Sequence, residues 1–294
     1  MTKLSINHAI RKEASCCRTP CWHHHGRFRR KSDSRMIQRY KCYSCGKTVS
    51  NATFDDACWQ KKRHLNYACM MMLSSLVSMR RIGRVLNINP KTVARKLAYL
   101  GETLQKKMEA QDFSHVSHIQ CDELQTIEHT KLKPLSVAMA VSTKDRRIIG
   151  FRVASMPATG LLAKVSRKKY GFRPDHRRRE FAALCQDIKP QLPRLHTIES
   201  DECSFYNPIL SRVFPAAKHQ QFKGKKSSVA GQGELKKVVH DPLFCINHTF
   251  AMLRANINRF IRKTWCTTKK IQPLIHHLTV YMFVHNHIIL KGAL

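Results

Sequence analysis

Two stretches, Val116-Ser117-His118-Ile119-Gln120-Cys121-Asp122 and Leu195-His196-Thr197-Ile198-Glu199-Ser200-Asp201, decide how this chain reads. Each is a short apolar or β-prone run closed by an aspartate. Acids are scarce here: 19 Asp and Glu stand against 53 Lys and Arg, a formal charge of +34. Carboxylates at strand ends in so cationic a chain point to a divalent cation, Mg²⁺ or Mn²⁺, held beside a polyanion. The acids would hold the cation and the basic surface would hold a phosphate backbone. That is the chemistry of a polynucleotidyl transferase or a nuclease.

The segments around these runs alternate as strands do. Residues 116–121 read as a first strand and 135–141 as a second. Lys144-Asp145-Arg146 reads as a turn and 148–153 as a third strand, which makes an antiparallel meander. A basic segment, 164–179, follows with Arg167, Lys168, Lys169, Arg173, Arg177, Arg178 and Arg179. Then come a helix over 180–192, a fourth strand over 196–200, a helix over Tyr206–Val213 and a fifth strand over Lys218–Phe222. A Gly/Ser/Lys-rich loop occupies 223–237, and a long helix starts near Phe244. The order βββαβαβα is that of a ribonuclease-H-like mixed sheet flanked by helices. In that fold the first and fourth strands lie side by side, so Asp122 and Asp201 would meet. Glu123 and Glu202 are adjacent acids, but a strand alternates faces, so one of each pair should point into the site.

Ahead of this region the chain carries two further signals. Five of its 12 cysteines, 16, 17, 21, 42 and 45, cluster near the start. Cys17 and Cys21 form one close pair and Cys42 and Cys45 another, 20 residues later. Two such knuckles converge on one tetrahedral Zn²⁺, and Gly46 suits the tight turn after the second. Phe28-Arg29-Arg30-Lys31 and Ile37-Gln38-Arg39-Tyr40-Lys41 read as strands of a small ribbon. Cys16 can substitute for Cys17, and His23, His24 and His25 are rival ligands. The zinc would hold the fold and do no chemistry. The scattered remaining cysteines read as buried thiols in a reducing compartment rather than a disulfide framework.

From Lys61 the pattern turns helical, with Tyr67, Met71, Leu73, Leu76 and Val77 as an apolar face. Ser78 is placed to cap a helix over 79–86, Asn87-Ile88-Asn89 to turn, and Pro90 to open a second helix reaching about Leu100. This is a helix-turn-helix pattern. Ile82, Leu86, Ile88, Val93 and Leu97 would pack inside, and Lys91, Thr92, Arg95 and Lys96 would face the major groove of double-stranded DNA. The three modules are expected at 1–58, 59–110 and 111–294, an α/β (α+β multidomain) chain.

Taken together, these stretches resemble bacterial insertion-sequence transposases of the DDE type, the group joining a zinc ribbon, a helix-turn-helix and a ribonuclease-H-like catalytic domain. The matching segments are 17–50, 78–97, Cys121-Asp122-Glu123, Ser200-Asp201-Glu202 and, most distinctively, 247–270. The resemblance implies metal-dependent cleavage and strand transfer at the ends of a mobile element, with Asp122 bridging two metals about 4 Å apart and Asp201 holding one. It also implies a third ligand on the last helix, seven residues before the Arg of a Leu-Arg pair. Here the pair is Leu253-Arg254 and that position holds Asn247, not Glu. Asn offers Mg²⁺ a neutral carbonyl oxygen. His248, Asp241 and Glu234 stay open as alternatives, and a missing third acid would also fit an inactive copy. Arg254 is a candidate phosphate contact, with Ile246, Phe250, Leu253, Ile257 and Phe260 as the apolar stripe beneath it. His276, His277, His285 and His287 read as core or surface histidines rather than a second metal site.

Composition bounds the alternatives. A sequence pI near 10.2 points to nucleic acid ahead of an anionic membrane surface. The best apolar run, 67–77, is too short to span a bilayer, and Met1 to Glu13 lacks the apolar core of a signal peptide, so a cytoplasmic, nucleoid-associated protein is expected. Two element ends handled together imply a homodimer or larger assembly on DNA. The rival readings are a non-catalytic sequence-specific DNA-binding protein, including a transposase relic, and a structure-selective nuclease of the same fold.

Overall fold

The computed structural model describes residues 16–19, 21–31, 33–58, 60–223, 241–261 and 266–292, which form two compact units dividing after Tyr67. Glu234 lies outside the described residues.

The first unit is a three-stranded antiparallel ribbon: β1 (Trp22–Arg29), β2 (Met36–Cys42) and β3 (Thr48–Ser50), in that order. β1 begins six residues earlier than the Phe28 start expected, and Arg30 and Lys31 belong to the turn instead. The turn closes through Ser34 N to Arg30 O and Arg30 N to Arg35 O, both 2.8 Å, with the Arg30 guanidinium paired to Asp33. Ile37, Tyr40 and Cys42 of β2 are buried.

Three helices follow: α1 (Asn66–Leu73), within whose first turn the units divide, and then α2 (Met79–Val85) and α3 (Pro90–Glu109) of the second unit. Ser78 Oγ accepts from Arg81 N, and Asn89 Oδ1 accepts from Lys91 N at 2.8 Å, so both helices start at side-chain caps. Between them Asn87 takes a positive φ of 47°, and a Cβ on Gly83 would stand 2.8 Å from Ile88 O; the tight turn requires both features. Ile82, Ile88, Val93 and Leu97 are buried there, as the sequence pattern requires, while Leu86 is half-buried. On α1 the buried residues are Cys69, Met70 and Leu73; Tyr67 and Leu76, expected on the apolar face, are 64% and 42% exposed.

The larger sheet has five strands: β4 (His118–Ile127), β5 (Pro134–Ser142), β6 (Ile148–Ser155), β7 (Thr197–Asp201) and β8 (Lys218–Phe222). Their spatial order is β6-β5-β4-β7-β8. β4, β5 and β6 pair antiparallel, whereas β4–β7 and β7–β8 pair parallel. The connections carry α4 (Leu162–Tyr170), α5 (Arg177–Ile188), α6 (Tyr206–Val213) and α7 (Phe244–Asn256); α8 (Ile271–Val284) follows. α4 occupies part of the basic segment that the sequence left unassigned. Each face of the sheet has its own core. On one, Ile119, Cys121 and Ala138 pack with Phe181, Leu184 and Tyr206 from α5 and α6. On the other, Leu124, Val137 and Met139 pack with Ile246, Phe250 and Leu253 of α7 and with Leu274, Leu278 and Tyr281 of α8. The result is a helix–sheet–helix sandwich. Among the described residues no helix is long and apolar enough to cross a membrane.

Two contacts tie α1–α3 to the second half of this unit. His277 of α8 is fully buried and lies 2.8 Å through Nε2 from Leu73 O, while Arg259 Nε donates to its Nδ1 at 3.1 Å. That pattern fixes the neutral ring with its proton on Nε2, and burial together with the Arg259 charge draws the His277 pKa down to about 3. The second contact is a close approach of α3 and α8 at Gly101, where a Cβ would meet His276 Cβ at 2.6 Å and its Cα at 2.8 Å. Gly101→Ala should therefore destabilise the second unit by about 1–3 kcal/mol, although alanine favours helix. Urea denaturation read by far-ultraviolet circular dichroism checks this, and an unchanged midpoint refutes the tight approach.

Candidate active site and cysteine metal centre

Asp122 does not end its strand: β4 continues five residues beyond it because Glu123 to Ile127 stay paired with Ala138 to Pro134 of β5. What ends there is the other partner. The β4–β7 ladder stops at Cys121 opposite Ser200, so Asp122 and Asp201 are the next residues on two neighbouring strands. Cross-strand partners share a face. Asp122 is paired with Met139, which belongs to the α7–α8 core, so the aspartate looks toward that layer. Glu123, opposite Ala138, looks the other way and lies 3.7 Å from Arg177 through Oε2.

Gln120 and Glu199, two residues before the aspartates and opposite each other, point to the same face. Gln120 is 3% exposed and makes three bonds. Its Nε2 donates to Glu199 Oε2 at 2.8 Å and to Pro242 O at 2.7 Å, and its Oε1 accepts from Ile246 N at 3.0 Å. One amide thereby holds the start of α7 against the strand carrying Asp122. On that first turn Asn247 Nδ2 donates to Asp241 Oδ2 at 3.1 Å, and Asp241 Oδ1 accepts from Leu243 N at 3.1 Å. His248 packs toward Phe244, ring centroids 5.4 Å apart. Sequence reasoning missed Gln120 and Glu199. The signal was present: a glutamine amid Ile119 and Cys121 must find partners when buried.

Asp122 Oδ1 accepts from Glu123 N at 2.6 Å, and Asp201 Oδ1 accepts from Cys203 N at 3.2 Å. Burial raises the Asp201 pKa above the ordinary carboxylate value, and the neighbouring Glu202 charge adds to it. Burial likewise raises Glu123, with Arg177 opposing. Aspartate, glutamate and asparagine oxygens are a donor set suited to a hard divalent cation. Among the described residues the only group of three or more His, Cys, Asp or Glu ligand atoms lying within 4.8 Å of one another is a set of thiols.

That set is Cys16, Cys17, Cys42 and Cys45, and it can hold a structural metal such as Zn²⁺. Cys21, expected as a ligand, is exposed and outside the group; Cys16 takes its place. The reason lies in the pleat. Trp22 pairs with Cys42, so the residue before it turns to the opposite face of the ribbon, and the main chain of Cys21 is held by Tyr43 N donating to its carbonyl at 2.9 Å. The three histidines lie on β1, where His23 stacks on Tyr43 at 3.7 Å. Cys42 is fully buried; burial opposes its ionisation, but main-chain and thiol donors outweigh it and bring the pKa down to about 6.

The residues expected to meet DNA divide. Lys91 and Arg95 are exposed on α3 and Thr92 is half-buried beside them. Lys96 is 2% exposed, which removes it from the surface expected to meet DNA. Its position, three residues after Val93 and one before Leu97, puts it on the buried stripe of α3. Arg254 is exposed on α7, seven residues and thus two turns from Asn247 on the same face.

The chain matches no protein-family model and no curated protein.

Two measurements check these assignments. Metal analysis of the purified chain should give zinc for wild type and for Cys21→Ser, and lose it for Cys16→Ser and Cys42→Ser; loss in Cys21→Ser alone restores the original pair. The second concerns Asp201. An acid whose folded pKa is raised costs stability above that pKa and nothing below its unfolded value. In EDTA at pH 7, Asp201→Asn should melt higher than wild type, and the difference should vanish as pH falls below about 4, the ordinary aspartate value. A lower melting temperature at pH 7 contradicts the burial account.

Proposed function

We propose that this chain is a DDE-type transposase: it binds the ends of a mobile DNA element and catalyses their metal-dependent cleavage and strand transfer. The observation that carries the reading is the placement of Asp122 and Asp201 side by side where the β4–β7 ladder stops, facing the α7 turn that holds Asp241 and Asn247. A strand order of 3-2-1-4-5, with the second strand antiparallel, supports a ribonuclease-H-like sheet beneath them. A formal charge of +34 supports a polyanionic substrate.

Asp122 and Asp201 would hold the divalent cations, Mg²⁺ or Mn²⁺, with Asn247 offering its amide oxygen as third ligand and Asp241 as the nearest alternative. The cations would supply activation of the attacking hydroxyl and neutralisation of the leaving oxygen in an in-line displacement. The raised pKa of Asp201 favours such a partner, since a cation relieves a buried carboxylate charge. Lys91, Thr92 and Arg95 would read the element end from the major groove, and Arg254 would bind a phosphate near the site. The thiol group would hold Zn²⁺ as a structural element. A homodimer on two ends, working at the nucleoid, completes the reading.

A second reading, a non-catalytic DNA-binding protein, is favoured by one observation: Asn247 stands at the position where a third acid is expected. A single assay separates the two. DNA carrying the ends of the flanking element is incubated with the chain and Mg²⁺ or Mn²⁺, comparing wild type with Asp201→Ala and Asn247→Ala. Nicking and joining by wild type, reduced at least a hundredfold in both variants, is the expected outcome. Binding without cutting in either metal refutes the catalytic reading; cutting without joining makes the chain a nuclease.

A further inference from the structure

β6 is an edge strand of the larger sheet, and part of its outer side lies open inside a groove. Which main-chain groups face out follows from the ladder. Met156 N donates to Pro134 O at 3.3 Å, and antiparallel pairs alternate between bonded and unbonded. Ala154, Arg152 and Gly150, opposite Ser136, Ala138 and Ala140, therefore turn their main-chain groups to β5. Phe151, Val153 and Ser155 turn theirs outward. Ser155 O is taken by His176 N at 3.0 Å, and Ile148, past a bulge, has its N–H and C=O both met by Asn286. Among the described residues nothing bonds the N–H or C=O of Phe151 or Val153, and both residues are only half-buried.

The groove has a volume of about 700 Å³, and its floor is the stretch of β6 from Ile149 to Val153, about 16 Å of strand. α5 makes one wall and comes down on the strand at Gly150, where a Cβ would stand 2.9 Å from Ile188 Cγ2. α3 and α8 make the other, tied together by Thr279 Oγ1 donating to Gln105 Oε1 at 3.2 Å. Unbonded N–H and C=O groups two residues apart along a strand are matched by another extended main chain, whereas a helix has already used its own. The sheet edge of a second copy would bring its own flanking helices against these walls, so a lone segment fits where a second sheet does not. Charge selects further. Lys and Arg outnumber Asp and Glu by 53 to 19 in the chain, yet the groove reverses the balance. Glu102, Glu109 and Asp187 line it against one cation, Arg152, whose Nε donates to Asp187 Oδ2 at 2.7 Å. Lys106 and Lys107 of α3 do not line it, and His276 stays neutral at pH 7 because burial lowers its pKa. Such walls repel phosphates and attract lysine or arginine side chains.

We propose that this groove is a strand-addition site for an extended cationic segment of a partner protein, whose main chain pairs with Phe151 and Val153 and whose lysine or arginine side chains meet Glu102 and Glu109. The site goes beyond the catalytic reading and does not depend on it, since β5 separates β6 from the strand carrying Asp122.

The probe is a fluorescent peptide of about ten alternating valine and lysine residues, titrated against the full chain and read by anisotropy. Val153→Pro removes one outward N–H and leaves the bonds to β5, and an edge strand tolerates proline there. It should weaken binding about fivefold or more, the loss of one hydrogen bond. Glu102→Gln with Glu109→Gln should also weaken it and flatten its dependence on salt. A control leaves the protein unaltered: N-methylating the valines and the lysines of the peptide in turn should abolish binding for one set only, the set whose N–H groups face β6. Bound peptide should slow hydrogen exchange of the amides in 148–155. No binding by wild type at about 1 mM peptide overturns the site. So does equal binding by wild type and Val153→Pro, by both methylated peptides, or by a peptide with glutamate in place of lysine. Slow exchange at Phe151 and Val153 in the free chain also overturns it, assigning the groove to a second copy where dilution removes the protection and to the chain's own segments where it does not. None of these outcomes involves DNA cleavage, so the functional reading stands or falls separately.

Discussion

The parallel register between β4 and β7 is the constraint from which the rest of the larger unit follows. With Cys121 opposite Ser200, Asp122 and Asp201 become neighbours, and Gln120 comes to lie opposite Glu199. That second pairing decides more than the first. A buried amide cannot be left unbonded without a cost of about 1–3 kcal/mol, so Gln120 has to be met, and the groups that meet it are the main chain of Pro242 and Ile246 at the start of α7. The helix is thus docked by a polar clasp next to the acids, while Ile246, Phe250 and Leu253 bury its apolar stripe further along. Slipping β7 by one residue against β4 would turn Asp201 toward the α5–α6 core and away from Asp122.

How far the site was legible follows from which forces are local. The meander, the helix Tyr206–Val213 and the strand Lys218–Phe222 declare themselves through period-two and period-3.6 patterns, and Ser78, Asn89 and Pro90 mark helix starts by their own chemistry. Three readings failed where the deciding force was not local. Asp122 was taken as a strand end, because sequence shows one strand at a time and not that β5 outlasts β7 as a partner. Lys96 was taken as a groove contact, because its charge outvoted its place between Val93 and Leu97; the aliphatic stem of a lysine fits a buried stripe when its ammonium group finds a partner. Cys21 was taken as a ligand on spacing alone, whereas the pairing of Trp22 with Cys42 turns it away. In each case a neighbouring element, absent from the local pattern, chose the side-chain direction.

Some of the buried polar side chains sit at joints in this molecule. Asn286 is 4% exposed, takes Ile148 N on Oδ1 and gives Nδ2 to Ile148 O, closing the outer end of β6. Ser200, fully buried, lies 2.9 Å from His219 Nε2 across β7 and β8. Each joins elements distant in sequence with directional bonds that a sliding apolar contact cannot supply, so register and docking are specified where the apolar layers alone would allow shifts.

The bonds of His277 have a consequence in time as well as in space. Leu73 and His277 are 204 residues apart, and α3 finds its partner α8 only when the last part of the chain is present. A ribosome emits about 5–20 residues each second, so α2 and α3 wait on the order of ten seconds or more, with their apolar underside uncovered, for the strand-rich middle to be made. The module that carries Lys91 and Arg95 therefore reaches its final packing last, although it is synthesised early. A chain truncated before α8 loses the support of its candidate recognition helix together with its own C-terminal layer.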